Sequence, residues 1–308
     1  MKLSLVVPCY NEEQSIPLFH EAVTQTFDSC GYDYEIIYVD DGSRDGTMLQ
    51  LRKIYNQQSG RVKIVRFSRN FGKEAALYAG IKHADGDYIS LIDADLQQHP
   101  SIVRNMVQIL DENENCDIVA AYQDRRSEGK ILSFFKKSFY RIINRLSDVS
   151  LKSDASDFRT FRKKVADSVV SLEEYHRFSK GIFAWVGFET EYIPYTAAKR
   201  IAGKTKWRFG KLFNYAIDGI IGYSTKPLRV ATFLGGLTAF AALIYLVIVV
   251  LEKLITGIDI PGYATIIVLI LALGSMQLFC IGIIGEYVGR TFEQSKQRPV
   301  YIEKEYLS

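Results

Sequence analysis

The chain has 308 residues, 48% of them hydrophobic and 24% charged, and its 38 basic and 35 acidic side chains leave a formal net charge of +3. That apolar content excludes a disordered chain, and so small a charge is too weak to argue for a nucleic-acid partner. The four cysteines, Cys9, Cys30, Cys116 and Cys280, have neither metal-ligand spacing nor the pattern of a disulfide framework, so they read as reduced, buried small residues. From the N-terminus, short β-branched runs alternate with segments of helical period. Strands are expected at 3–8, 35–40, 62–67, 88–93 and 117–122, and helices at 15–25, 47–57, 73–84 and 101–113. The first strand opens at once, so no signal peptide is expected. The order predicts an α/β, Rossmann-like domain whose mostly parallel sheet is covered on both faces.

No G-x-G-x-x-G opens a helix after the first strand, and no G-x-x-x-x-G-K-[ST] occurs, which disfavours dinucleotide-binding and P-loop enzymes. The first four strand ends carry polar clusters instead: Pro8-Cys9-Tyr10-Asn11-Glu12-Glu13, Asp40-Asp41-Gly42-Ser43, Ser68-Arg69-Asn70-Phe71-Gly72-Lys73 and Asp93-Ala94-Asp95-Leu96-Gln97. Taken singly each has a bland explanation as a turn or helix cap. Four at successive strand ends point to a ligand site, because open α/β sheets bind ligands beyond the carboxyl ends of their strands. Asp93-Ala94-Asp95 closes the apolar run 88–92, where one carboxylate can hold a hard divalent ion while the other accepts a ribose hydroxyl.

Further along, 130–146 and 206–224 mix basic, aromatic and aliphatic residues at near-helical spacing, as interfacial helices on a membrane do. For the first of these an ordinary core-facing helix is the competing reading. Two uncharged apolar runs follow, 230–251 and 263–284, each about 22 residues and so long enough to cross roughly 30 Å of hydrocarbon. Lys226 and Arg229 precede the pair and Arg290, Lys296 and Arg298 follow it, while Lys253 is the only basic residue between. The positive-inside rule therefore puts both ends of the hairpin, and the globular body, in the cytoplasm. The expected organisation is a cytosolic domain over 1–227 that includes the interfacial helices, a transmembrane hairpin over 228–289, and a cytosolic tail over 290–308.

The four strand-end clusters, together with Ser156-Asp157-Phe158-Arg159, the stretch from Lys199 to Trp207 and the terminal hairpin, resemble the GT-A glycosyltransferases of family 2. Within that family they are similar to the polyprenyl-phosphate branch, which holds dolichol-phosphate mannose synthase and the bactoprenol (undecaprenyl-phosphate) glucosyltransferases. The resemblance implies a GT-A fold and a nucleotide-sugar site in which Pro8, Tyr10 and Glu12 line the base and ribose pocket. Asp41 would accept from the uracil N–H and Asp93 would bind the ribose. Asp95 and Gln97 would hold Mg²⁺ or Mn²⁺ against the donor diphosphate, an oxygen-only donor set that suits those ions. Lys73, Arg200 and Lys206 are nucleotide-sugar candidates too, with a solvated basic loop as the competing reading of the last two. Asp157 is the family's candidate base, and Arg126 and Lys137 are candidates for the acceptor phosphate.

The activity so implied is inverting, metal-dependent transfer of one hexose, glucose from UDP-glucose, to polyprenyl phosphate at the cytoplasmic face of the inner (plasma) membrane. The lipid-linked sugar would serve a cell-wall or surface polymer, and the relatives suggest a homo-oligomer, a tetramer among the counts. GDP-mannose or UDP-GlcNAc as donor is an alternative within the same class. A non-catalytic scaffold or flippase-associated protein that kept the fold is the alternative outside it.

Overall fold

The computed structural model of the protein describes residues 1–28, 31–123, 144, 155–198, 219–256 and 262–308. Eight strands form one sheet: β1 (Lys2–Cys9), β2 (Asp33–Asp40), β3 (Val62–Phe67), β4 (Tyr88–Leu91), β5 (Ile118–Gln123), β6 (Ala155–Arg162), β7 (Thr190–Tyr195) and β8 (Glu303–Leu307). Their order is β7-β5-β6-β4-β1-β2-β3-β8. The centre is parallel, β1 pairing with β2 and β4, and β2 with β3. Outside it β6 runs antiparallel to β4 and β5, β8 antiparallel to β3, and β7 parallel to β5, so the sheet is mixed with four of its seven pairings parallel, in keeping with the mostly parallel sheet expected. The strand order reverses at β1, between β2 and β4, which creates the crevice where such sheets bind ligands.

The helices α1 (Ser15–Phe27), α2 (Thr47–Gln57) and α4 (Pro100–Glu112) cover one face, and α3 (Lys73–Lys82), α5 (Lys163–Ser171) and α6 (Ser179–Trp185) the other. Alternation along β1 sends Leu5 and Val7 to Phe19, Leu51 and Val103 on the first face, and Val6 to Ala76, Ala79 and Phe161 on the second. Each fully buried Leu, Ile or Phe in these layers stabilises the fold by about 1.5–3 kcal/mol. Of the five strands expected, β4 is shorter than its apolar run: Ile92 still donates to Val6 O at 3.1 Å, and Asp93 then leaves the sheet. Cys9 and Cys116 are buried free thiols, as expected, and Cys280 is a partly exposed one.

Two long helices follow, α7 (Lys226–Thr256) and α8 (Tyr263–Ser295), and both are long and apolar enough to cross a membrane. They outrun the apolar segments, because the polar end of α8 is fastened to the globular body. Tyr287 Oη donates to Ser224 O at 2.6 Å, Tyr175 N to Gln294 Oε1 at 2.8 Å and Gln294 Nε2 to Glu173 O at 3.1 Å. The chain beyond α8 then rejoins the sheet as β8. Tyr301 stacks on Phe67 with ring centroids 4.7 Å apart, and Arg52 binds Glu305 at 2.7 Å, so the outer edge of β3 is covered. Of the segment expected as a tail over 290–308, the first residues continue α8 and Glu303–Leu307 join the sheet. Residues 130–143, 145–146 and 206–218 of the expected interfacial helices lie outside the described residues.

Candidate active site

The loops that leave β1 and β2 interlock. Asn11, held at φ 57°, donates its amide to Ser43 Oγ at 2.9 Å and takes the Arg44 amide on Oδ1 at 3.0 Å, while Glu12 N donates to Thr47 Oγ1 at 2.8 Å. Glu12 Oε2 also accepts from Ser15 Oγ at 2.7 Å, and its backbone carbonyl takes the Ser15 and Ile16 amides at the start of α1. These bonds fix the half-buried Pro8, Tyr10 and Glu12 around the end of β1.

Asp41 is buried, and its carboxylate accepts from Phe71 N at 2.6 Å and Gly72 N at 3.0 Å. Burial raises its pKa against those two donors. The side chain therefore holds the loop after β3 against the loop after β2, whatever else it binds. Gly42 makes that approach possible: its φ is +67°, and a Cβ there would lie 2.5 Å from the Arg69 carbonyl carbon.

The loop after β4 folds back on itself, with Leu96 at φ 57° and Asp95 Oδ1 accepting from Gln97 N at 3.1 Å. Gln98, which the sequence reading passed over for its neighbour Gln97, is buried. Its Oε1 accepts from Asp93 N at 3.2 Å and its Nε2 donates to Ser156 Oγ at 3.4 Å. It joins the aspartate loop to the start of β6, where Asp157 stands.

Lys73 links the two acids. Its ammonium lies 2.7 Å from Asp93 Oδ1 and 3.5 Å from Asp157 Oδ2. Asp157 Oδ1 is buried with no hydrogen-bond partner. Burial would raise the pKa of Asp157, but Lys73, Lys180 and Arg159 hold it below the ordinary value, and burial likewise fails to stop Asp93 and Asp157 from raising that of Lys73. Arg159 itself serves the backbone, its Nε donating to Asp157 O at 3.3 Å and its Nη2 to Ser156 O at 3.1 Å, with the guanidinium 4.2 Å over the Phe183 ring.

Next to Lys73, Glu74 takes the Ser179 amide at 2.9 Å and also the Ser179 hydroxyl, which ties α3 to the start of α6. Burial, and then the Asp157 carboxylate, push its pKa up to about 7. Neither Glu74 nor Lys180 was picked out from the sequence. Glu74 reads there as an ordinary first-turn acid, and Lys180 sits in a segment with no period.

The structure thus brings Pro8, Tyr10, Glu12, Asp41, Lys73, Asp93, Asp95, Gln97 and Asp157 to the carboxyl ends of β1, β2 and β4 and the facing end of β6. Arg126, Lys137, Arg200 and Lys206 lie outside the described residues. Among the described residues no three His, Cys, Asp or Glu side chains form a ready metal cage. The carboxylate and amide oxygens of Asp95 and Gln97 are nevertheless hard donors, and an ion such as Mg²⁺ commonly takes one or two carboxylates and completes its shell with water and substrate phosphate. The residues present fit an ion shared with a diphosphate.

Residues 4–170, more than half of the chain, match the family described as glycosyl transferase family 2. The chain belongs to that family. Residues 226–291 of this glycosyltransferase match the GtrB C-terminal hairpin, which takes in nearly all of α7 and α8. It is 38% identical over 304 residues to the prophage bactoprenol glucosyl transferase homolog of Escherichia coli K12, covering 99% of both chains. To the bactoprenol glucosyl transferase of Shigella phage SfV it is 37% identical over 304 residues, covering 99% of this chain and 98% of that one. Among solved structures it is similar to glucosyl-3-phosphoglycerate synthase of Mycobacterium tuberculosis, with a TM-score of 0.51 and 20% identity over 71% of this chain and 76% of that one. That likeness speaks for the GT-A fold alone.

Proposed function

We propose that this glycosyltransferase moves one glucose from UDP-glucose to the phosphate of a polyprenyl lipid, undecaprenyl phosphate, at the cytoplasmic face of the inner membrane. The observation that carries the reading is the Asp93–Lys73–Asp157 bridge at the reversal of strand order, in a chain whose next elements are two membrane-length helices. Full-length similarity to bactoprenol glucosyl transferases supports the choice of sugar and acceptor. Because α7 leaves from the body that α8 and β8 return to, the hairpin has both ends on one side, which supports the orientation given by its flanking Lys and Arg.

In this reading Pro8, Tyr10, Glu12, Asp41 and Asp93 bind the nucleoside, and Asp95 and Gln97 hold Mg²⁺ or Mn²⁺. When bound, that ion neutralises charge on the departing diphosphate. Lys73 adds positive charge there, and Arg200 and Lys206 are assigned the same role from the sequence. An acceptor phosphate oxygen forms its bond to the anomeric carbon as the bond from that carbon to the diphosphate oxygen breaks, and the configuration inverts. A phosphate monoester has a second pKa of about 6, so near neutral pH most of it needs no base. Asp157 then orients the acceptor, or takes the proton of the remaining monoanion. Gly235, Gly236, Gly274 and Gly282 are small residues of the kind that let helices approach closely, which suits a homo-oligomer packed through the hairpin.

The test is transfer from labelled UDP-glucose, UDP-GlcNAc and GDP-mannose to undecaprenyl phosphate, with and without chelator, for the wild type and Asp95→Ala. A glucosyl lipid formed from UDP-glucose alone, and lost in both controls, is expected. No product from any donor with folded, membrane-inserted protein would leave the scaffold reading in its place.

A further inference from the structure

We infer that Lys180 holds the phosphate monoester of the acceptor beside Asp157, an inference that rests on the reaction proposed above. The cations around Asp157 differ in what already occupies them. Lys73 is bound to Asp93 and Asp157, and Arg159 to two backbone carbonyls and the Phe183 ring. Lys180 forms no ion pair with any described carboxylate, although Asp157 is the charged group that acts on it most strongly. It is half-buried, and burial lowers its pKa. An ammonium withdrawn from water without a partner is costly, and a phosphate dianion would supply the missing partner.

The position of Lys180 is set by its neighbours. Ser179 is bonded twice to Glu74, and Phe183 packs on Phe161 with ring centroids 5.0 Å apart. A Cβ on Gly181 would overlap the Tyr223 ring. The segment is also the one joined to the foot of the hairpin: Tyr223 Oη donates to Glu174 Oε2 at 3.4 Å, and Gln294 of α8 donates to Glu173 O. A phosphate carried by a lipid arrives from that side. The soluble donor's diphosphate belongs instead with Asp93 and Asp95, and Asp93 is already engaged by Lys73 at 2.7 Å.

Electrostatics requires a cation there. A phosphate monoester bears about −1.5 to −2 charge at pH 7, and beside the Asp157 carboxylate it would be repelled. With Lys73 3.5 Å from Asp157 and the charge of Lys180 acting on the same carboxylate, the incoming phosphate meets a site of roughly balanced charge.

Initial rates for the wild type, Lys180→Met and Lys180→Arg, varying acceptor and donor separately, test the assignment. Lys180→Met is expected to raise the KM for undecaprenyl phosphate about tenfold or more while the KM for UDP-glucose stays within about twofold, and Lys180→Arg to recover most of the loss. An unchanged acceptor KM, or an equal rise in both constants, would overturn it. Should Lys180→Met fail to fold, acylation of Lys180 in the wild type decides: undecaprenyl phosphate should protect it and UDP-glucose should not, and the reverse pattern refutes the assignment. A wild type that transfers nothing counts against the reaction rather than against Lys180.

Discussion

The Lys73 ammonium and the Asp93 carboxylate meet at 2.7 Å, binding the first turn of α3 to the loop that leaves β4. Lys73 retains 43% of its side-chain exposure, so the pair adds little to stability, about 1 kcal/mol or less. In the proposed reaction its effect is larger, since without it Asp93 and Asp157 would face a dianionic phosphate with one cation fewer. Lys73→Met is expected to lower transfer about 10- to 1,000-fold and to move the melting temperature only slightly. A large drop in melting temperature with transfer intact would reverse that ranking.

Glu74 gives a pH signature in stability. Its pKa of about 7 in the folded protein lies above the ordinary carboxylate value near 4.5, so the native state binds the extra proton. Folding is therefore favoured at or below about pH 4.5, and that advantage is lost as pH rises to about 7. Glu74→Gln keeps an oxygen for Ser179 without the charge. The melting temperature of the variant, relative to wild type, is expected to improve between pH 5 and pH 8; a difference that stays flat would mean that Glu74 does not carry that proton.

Glu35 has the opposite sign. It is buried at the far end of β2, where Lys2 lies at 2.7 Å, Lys63 at 3.1 Å, Ser4 Oγ at 2.6 Å and the Asp85 amide at 2.9 Å. Burial opposes its charge, yet these partners lower its pKa to about 2. Its contribution is present above about pH 4.5 and lost as pH falls toward 2. Glu35→Gln should cost on the order of 3 kcal/mol at pH 7, with the deficit shrinking by pH 3 and the KM for donor unchanged. Denaturant melts at the two pH values measure it.

The edge strand β8 separates packing from surface charge. Tyr301→Ala removes a ring stacked on Phe67 and edge-on to Tyr78, and should cost about 3 kcal/mol. Arg52→Ala removes a salt bridge whose arginine is half-exposed, and should cost under about 1 kcal/mol. Thermal melts of the two variants, side by side, would reverse this order only if β8 were held by its charges.

Much of the central sheet is legible in the sequence because its strands are rich in buried β-branched and aromatic residues, and Val62–Phe67 matches to the residue although Lys63 and Arg66 interrupt its apolar positions. The same logic hides β8: Glu303-Lys304-Glu305-Tyr306-Leu307 is an edge strand rich in charge, and it reads as a polar tail. The site divides likewise. Asp93, Asp95 and Asp41 stand out because acids directly beyond apolar strands are conspicuous. Gln98, Glu74 and Lys180 matter through partners 58 or more residues away, or through a charge reached only by folding, and local pattern carries no trace of that.

With α7 leaving the body beside Ser224 and β8 clasped to β3, the hairpin proposed to span the membrane is moored at two points rather than trailed from one. A single mooring would let the catalytic crevice swing and dip over the lipid. Two hold it at one height, so that a long and a short prenyl chain would present their phosphates at the same level, and the enzyme would gauge the headgroup while remaining indifferent to the length of the tail beneath it.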